Sequence, residues 1–152
     1  MEINFKPAEN TDIETLLVLI RELYEVDGSV SFNAAVAGHA LTQLLANQSF
    51  GYVWLIQNQG EAIGYVVLTL GYSLEYGGRD AFIDELYLRA SHQHQGIGKK
   101  TIQFLEEVCI SLGVRALHLE VERENIFAQG FYRRVGFQDH DRRYLMTKWL
   151  TN

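Results

Sequence analysis

The chain has 152 residues, 47% of them hydrophobic and 21% charged, with a formal net charge of −6. That balance describes one ordinary globular domain with room for a core, not a disordered or fibrous chain. The acidic excess argues against nucleic-acid binding, which relies on basic patches, and no apolar run reaches the roughly 18–20 residues that span a bilayer.

The N-terminal stretch MEINFKPAEN is acidic and mixed, unlike a secretory leader, and the single cysteine, Cys109, allows no internal disulfide. A single domain over residues 1–152, located in the cytoplasm and without a membrane partner, is the expectation. INFKPA reads as a short first strand. From Thr11 a helix begins, with Ile13, Leu16, Leu17, Ile20 and Leu23 on one face and Thr11 or Asp12 as its cap. Residues 33–46 read as a second helix with Val36, Ala40, Leu41, Leu44 and Leu45 as apolar positions. GYVWLIQ and AIGYVVLTLGYS, joined by the turn NQGE, form a hairpin. LEYGGRD is a loop, and AFIDELYL is a strand apolar on both faces apart from its two acids.

Next comes SHQHQGIGKKTIQFLEEV, a glycine turn running into a helix whose core stripe is Ile102, Leu105, Cys109 and Leu112, stopped at Gly113. VRALHLEVE is a strand with Leu117, Leu119 and Val121 on one face and His118, Glu120 and Glu122 on the other. A short helix over 125–134 ends near Gly136, and RYLMTKWL reads as a closing strand. The order β-α-α-β-β-β-α-β-α-β is a mixed α/β layer structure.

The glycine turn poses the functional question. Amides at such a turn, backed by a helix N-terminus, suit a phosphate, and Lys99 and Lys100 in the first helical turn suit an anion nearby. A P-loop would need a glycine where Gln93 stands, and a dinucleotide fingerprint would need one at Thr101. The pattern that fits is Gln93-x-x-Gly96-x-Gly98 after a strand, followed downstream by Asn125-x-x-Ala128-x-x-x-Tyr132-x-x-x-Gly136-Phe137. Together the two motifs, ELYLRASHQHQGIG and NIFAQGFYRRVGF, resemble the GCN5-related N-acetyltransferase (GNAT) family, in its look nearest the small-amine and diamine acetyltransferases.

That resemblance implies a three-layer α/β/α fold whose mixed, mostly antiparallel sheet splays between strands 4 and 5. It implies acetyl-CoA as cosubstrate, with the backbone of Leu86, Tyr87 and Leu88 along the pantetheine arm. Gln93, His94, Gln95, Gly96, Ile97, Gly98 and Lys99 would surround the pyrophosphate, and Asn125 and Ala128 would sit at the pantetheine. Asn125 also has the composition of a helix N-cap. Tyr132 aligns with the general acid that serves the departing thiolate. The base that strips the amine proton aligns with Asp84, with Glu85 as the alternative. Adjacent in a strand, these two would face opposite sides. Tyr24, Tyr72, Glu75 and Tyr76 lie in regions that shape the family's acceptor pocket, where aromatic rings and a carboxylate suit an ammonium group; His118, Glu120 and Glu122, on their shared strand face, would line it, with Glu120 attracting a cation.

His92, His94, His118 and His140 lack ligand spacing, so no metal is expected. The expected activity is direct N-acetylation of a small-molecule or peptidic amine. The alternatives are a non-catalytic acyl-CoA sensor and a protein N-terminal or lysine acetyltransferase. A homodimer could form through the closing strand, with Trp149 as a contact.

Overall fold

Apolar residues two apart along the strands, and three to four apart along the helices, dictate a sheet covered on both faces. The computed structural model, which describes residues 1–28 and 30–151, has that arrangement. The chain divides into two compact units, Met1–Glu120 and Val121–Asn152.

In the first unit, strand β1 (Ile3–Pro7) is followed by a short 3-10 turn, Asn10–Asp12, and helix α1 (Ile13–Asp27). The Asp12 carboxylate accepts from the Glu9 amide at 2.9 Å and pairs with Lys6 at 2.6 Å, which fixes the chain's entry into α1. Helix α2 (Ala34–Ala46) starts where the Asn33 side chain accepts from the Val36 amide at 3.1 Å. Strands β2 (Gly51–Asn58), β3 (Glu61–Ser73) and β4 (Gly78–Leu88), helix α3 (Ile97–Ser111) and strand β5 (Ala116–Leu119) complete it.

The sheet runs β1-β2-β3-β4-β5; its first four strands are antiparallel neighbours and β4–β5 is parallel, crossed by α3. Leu16, Leu19 and Ile20 of α1 and Leu41 of α2 bury against Val53, Leu55, Tyr65, Val67 and Tyr87 on one face. On the other, Ile97 opens α3 against Ile56 and Ile63, and Phe104 stacks on Phe5 at 4.4 Å. Each fully buried side chain of this size is worth about 1.5–3 kcal/mol, so the two apolar faces, not local propensity, hold the layers together. No helix among the described residues is long and apolar enough to cross a membrane.

The second unit holds α4 (Ile126–Arg134), capped by Asn125, whose Oδ1 accepts from the Ala128 amide at 3.0 Å. Gln129 Nε2 donates to the carbonyls of Glu122 and Arg123, tying the helix to the segment before it.

Three expectations change. Val36 is 65% exposed and Ala40 is exposed, so α2 turns Leu41, Leu44 and Leu45 inward without them. The β5 strand stops at Leu119, so Glu120 and Glu122 lie beyond it and share no strand face with His118. Residues 143–150 form no strand: β propensity needs a ladder partner, and the sheet has none there. Their Tyr144, Leu145, Met146, Trp149 and Leu150 are all at least 70% exposed.

Candidate active site

The parallel pairing of β4 with β5 covers only Asp80–Ile83 against Ala116–Leu119. Strand β4 continues to Leu88, paired with β3 through Leu86↔Val66, Tyr87↔Tyr65 and Leu88↔Gly64. In a strand, backbone groups point alternately to the two neighbours. Past Ile83, half of those of β4 therefore face a wedge instead of a strand. Gly64 permits the close β3–β4 approach at this end, since a Cβ there would lie 2.1 Å from the Tyr87 carbonyl oxygen.

The wedge opens at a β-bulge. Val67 pairs with Glu85 and Leu68 with Ile83, which leaves Asp84 as the extra residue. Opposite faces for Asp84 and Glu85 require unbroken alternation, and the bulge breaks it. The charge on Asp84 reaches Tyr24, Tyr65 and Glu85, so both acids act on one cluster. Asp84 is exposed, yet enough protein surrounds it that desolvation raises its carboxyl above the ordinary range.

Glu85 is half-buried and held from two sides. The Tyr24 hydroxyl of α1 donates to its Oε2 at 2.5 Å and the Tyr65 hydroxyl of β3 to its Oε1 at 2.6 Å. Burial pushes the Glu85 carboxyl up, the two phenols pull it down, and Asp84 adds repulsion; the net shift is upward. Burial and the Glu85 charge push both phenols up, so they remain donors across the physiological range.

Tyr65, fully buried, escapes a sequence reading because it looks like one more apolar strand position. Tyr65→Phe removes a donor from a buried carboxylate, which costs about 1–3 kcal/mol. It also raises Glu85 further. The loss is smallest at low pH, where Glu85 is protonated, and grows as pH rises through its folded-state value. Urea melts at about pH 4 and about pH 8 check this; equal losses at both would contradict it.

At the far end of β4, Arg89 holds Glu22 of α1 bidentately at 3.0 Å through Nε and Nη2, and the Tyr87 hydroxyl donates to the same carboxylate at 3.0 Å. The Arg89 guanidinium keeps Glu22 below the ordinary carboxylate range. This clamp, which no motif announces, joins α1 to the strand end from which the glycine turn starts.

In the turn, Gln93 Nε2 donates to the Leu88 carbonyl at 2.7 Å, and Gln95 Nε2 to the Ser91 carbonyl at 3.0 Å. His94 and Gly96 both take positive φ, 62° and 84°. Gly96 is the N-cap of α3 and has no side chain to occupy the amides of Ile97, Gly98 and Lys99, which begin the helix without intrahelical acceptors. Lys99 and Lys100 are exposed beside them. A Cβ at Gly96 meets nothing within 4 Å, so Gly96→Ala acts through backbone strain of about 1–2 kcal/mol. The expected result is a melting temperature lowered by a few degrees; an unchanged melting temperature would contradict the strain at this position.

Of the acceptor candidates, Tyr24 joins the Glu85 cluster. Tyr76 is half-buried with its ring 4.8 Å from His118. Tyr72 is 74% exposed, and Glu120 is exposed past β5. In the second unit, Tyr132 of α4 packs edge-on to Phe131 and Phe137, at 5.1 and 5.7 Å, and burial pushes its phenol above the ordinary range. It is therefore protonated at neutral pH. Cys109, buried on α3 with its thiol pushed up by desolvation, has the character of a core residue and not of a nucleophile.

A family model described as the acetyltransferase (GNAT) family matches residues 17–137. Thialysine N-epsilon-acetyltransferase of Bos taurus is 28% identical over 146 residues, 90% of this chain and 85% of that protein. An integron cassette protein from the mobile metagenome of Cole Harbour Salt Marsh superposes with a TM-score of 0.84 at 34% identity, over 97% of this chain and 91% of its own. The aminoglycoside N-acetyltransferase AAC(6')-Iy, solved with CoA, superposes with a TM-score of 0.82 at 16% identity, over 97% and 95%; this last likeness concerns the fold.

Proposed function

The chain belongs to the GNAT acetyltransferase family, and we propose that it moves an acetyl group from acetyl-CoA directly onto a primary amine of a small molecule or peptide. The observation that carries this reading is the wedge, where β4 runs on from Asp84 to Leu88 after its pairing with β5 has ended, toward a helix that begins with uncapped amides. An extended arm with amide groups adds to such an edge as a strand would, along Leu86, Tyr87 and Leu88. The turn from Gln93 to Lys99 supplies amides and positive charge for the pyrophosphate beyond it. The carboxamide of Asn125 caps α4 through its oxygen, and its nitrogen end is the donor that suits a pantetheine carbonyl.

An acceptor amine reaches the enzyme mostly as ammonium, since its ordinary pKa is about 10.4. Asp84, accessible and with a raised carboxyl, takes that proton directly or through one water. Glu85, fixed by Tyr24 and Tyr65, supplies in its carboxylate form a positioned negative charge that draws the ammonium in. The neutral amine attacks the thioester carbon, the C–N bond forms and the C–S bond breaks, and the second nitrogen proton leaves to water, which balances the proton that the sulfur takes up. Tyr132 hydrogen-bonds or protonates the departing sulfur. No acetyl-enzyme is formed, in keeping with the buried Cys109.

The test is thiol release from acetyl-CoA against polyamines, amino acids, aminoglycosides and short peptides. Release with one amine class is expected. Tight acetyl-CoA binding without release for any amine would overturn the reading and leave a non-catalytic acyl-CoA sensor.

A further inference from the structure

Strand β4 presents Glu85 and Tyr87 at alternate positions, and Arg89 continues the series just past its end, so the three share the face that α1 covers. Two residues of α1 meet them: Tyr24 reaches Glu85, and Glu22 reaches Tyr87 and Arg89. One helix therefore grips the strand twice, at its acids and at its exit.

Arg89 anchors that exit. Its amide donates to the Ile63 carbonyl at 2.9 Å and its Nη1 to the Ala62 carbonyl at 3.4 Å, both near the start of β3. Its own carbonyl accepts from the His92 amide at 2.9 Å and so opens the 3-10 turn Ala90–His92. Gln93, next in the chain, reaches back to the Leu88 carbonyl at 2.7 Å. Backbone groups alternate along a strand, and the Arg89 amide faces β3, so that Leu88 carbonyl lies on the wedge side. The glycine turn thus hangs from Arg89, and Arg89 is oriented by Glu22. A guanidinium that holds a carboxylate through two parallel N–H bonds is fixed in direction as well as position. The Tyr87 hydroxyl, at 3.0 Å, closes a further side of the same carboxylate. Arg89 and Glu22 are 35% and 31% exposed, so solvent screens the pair and its worth to stability is small. Its geometric effect on the chain that follows is not screened.

We infer that Glu22 is a positioning residue for the cosubstrate: acting through Arg89 and Tyr87, it holds the end of β4 and the turn from Gln93 to Lys99 in the shape that receives the diphosphate of acetyl-CoA, without itself belonging to the turn. This rests on the acetyl-transfer reading for what the turn holds. A turn already in its bound shape loses less freedom when the anion arrives, and the difference appears as affinity. Charge alone predicts the opposite sign. Glu22 offsets the charge of Arg89, so its removal would draw an anion to the turn if position did not matter.

The test uses Glu22→Ala, Arg89→Lys and the two combined. The readouts are CoA binding by calorimetry, and transfer from acetyl-CoA and from S-acetylpantetheine, which lacks the diphosphate. Glu22→Ala weakens CoA binding about tenfold and raises KM for acetyl-CoA to match, with kcat within about twofold of wild type. Its kcat/KM for S-acetylpantetheine stays within about twofold. Its melting temperature stays within about 3 °C, which separates positioning from a general loosening of the fold. Arg89→Lys keeps the charge but not the fork, and weakens CoA binding about threefold. The combined variant binds no more weakly than Glu22→Ala, because both changes break one link. Unchanged or tighter CoA binding in Glu22→Ala, or an equal loss with both donors, would overturn the positioning role and leave acetyl transfer standing. Weaker CoA binding in Glu22→Ala, with no transfer by the wild type to any amine, would support the positioning role and overturn the acetyl-transfer reading.

Discussion

Tyr132→Phe lowers kcat by about 10²–10³-fold and leaves the acetyl-CoA dissociation constant within about twofold. The substitution deletes one hydroxyl and keeps the ring that packs on Phe131 and Phe137. Burial already keeps that hydroxyl protonated, so no proton has to be fetched before the sulfur departs. A group that serves only the breaking C–S bond is felt in kcat and kcat/KM equally, and not in ground-state binding. Stopped-flow thiol release and calorimetry separate the two. Turnover within about threefold of wild type would remove Tyr132 from the chemistry and return it to packing.

Asp84→Asn lowers kcat/KM for the amine by about 10²–10³-fold and abolishes the acid limb of the pH profile. On the proposed role as base the active form is the carboxylate, so wild-type activity is expected to rise with pH through the Asp84 value, which desolvation sets above the ordinary aspartate value of about 3.9. Stability moves the other way. With its folded-state pKa raised, Asp84 favours the fold most fully at low pH, and this contribution is lost as pH rises through the raised value. The asparagine variant therefore loses activity while the fall in stability over that window becomes shallower. Rate profiles and denaturant melts over the same pH series test both. An acid limb that persists in Asp84→Asn and vanishes in Glu85→Gln would move the base one residue along the bulge.

That ambiguity marks where one-dimensional reading stops. Helix spacing exposed the α1 and α3 stripes, because a 3.6-residue period is local; Leu16, Ile20, Ile102, Leu105 and Cys109 are all buried. The β4–β5 wedge followed from the resemblance. The bulge at Asp84 did not, since it is a property of pairing with β3 and leaves no mark in IDELYL itself. Tyr65 was hidden inside an apolar run, although its hydroxyl is what fixes Glu85. Asp80 and His118 are 38 positions apart, and only the parallel register brings them together. RYLMTKWL failed for the converse reason: β-prone composition says nothing about whether a partner strand exists.

The most direct test of the central claim is to follow an isotopically labelled acetyl group. Labelled acetyl-CoA, the protein and the amine that gives the fastest thiol release are mixed, quenched over the first turnovers and analysed by mass spectrometry of both the intact protein and the amine. Direct transfer predicts label on the amine nitrogen from the first turnover, in step with free thiol, and none on the protein at any time. Label that appears first on the protein, or that remains in acetyl-CoA while every amine tested stays unmodified, would contradict the account.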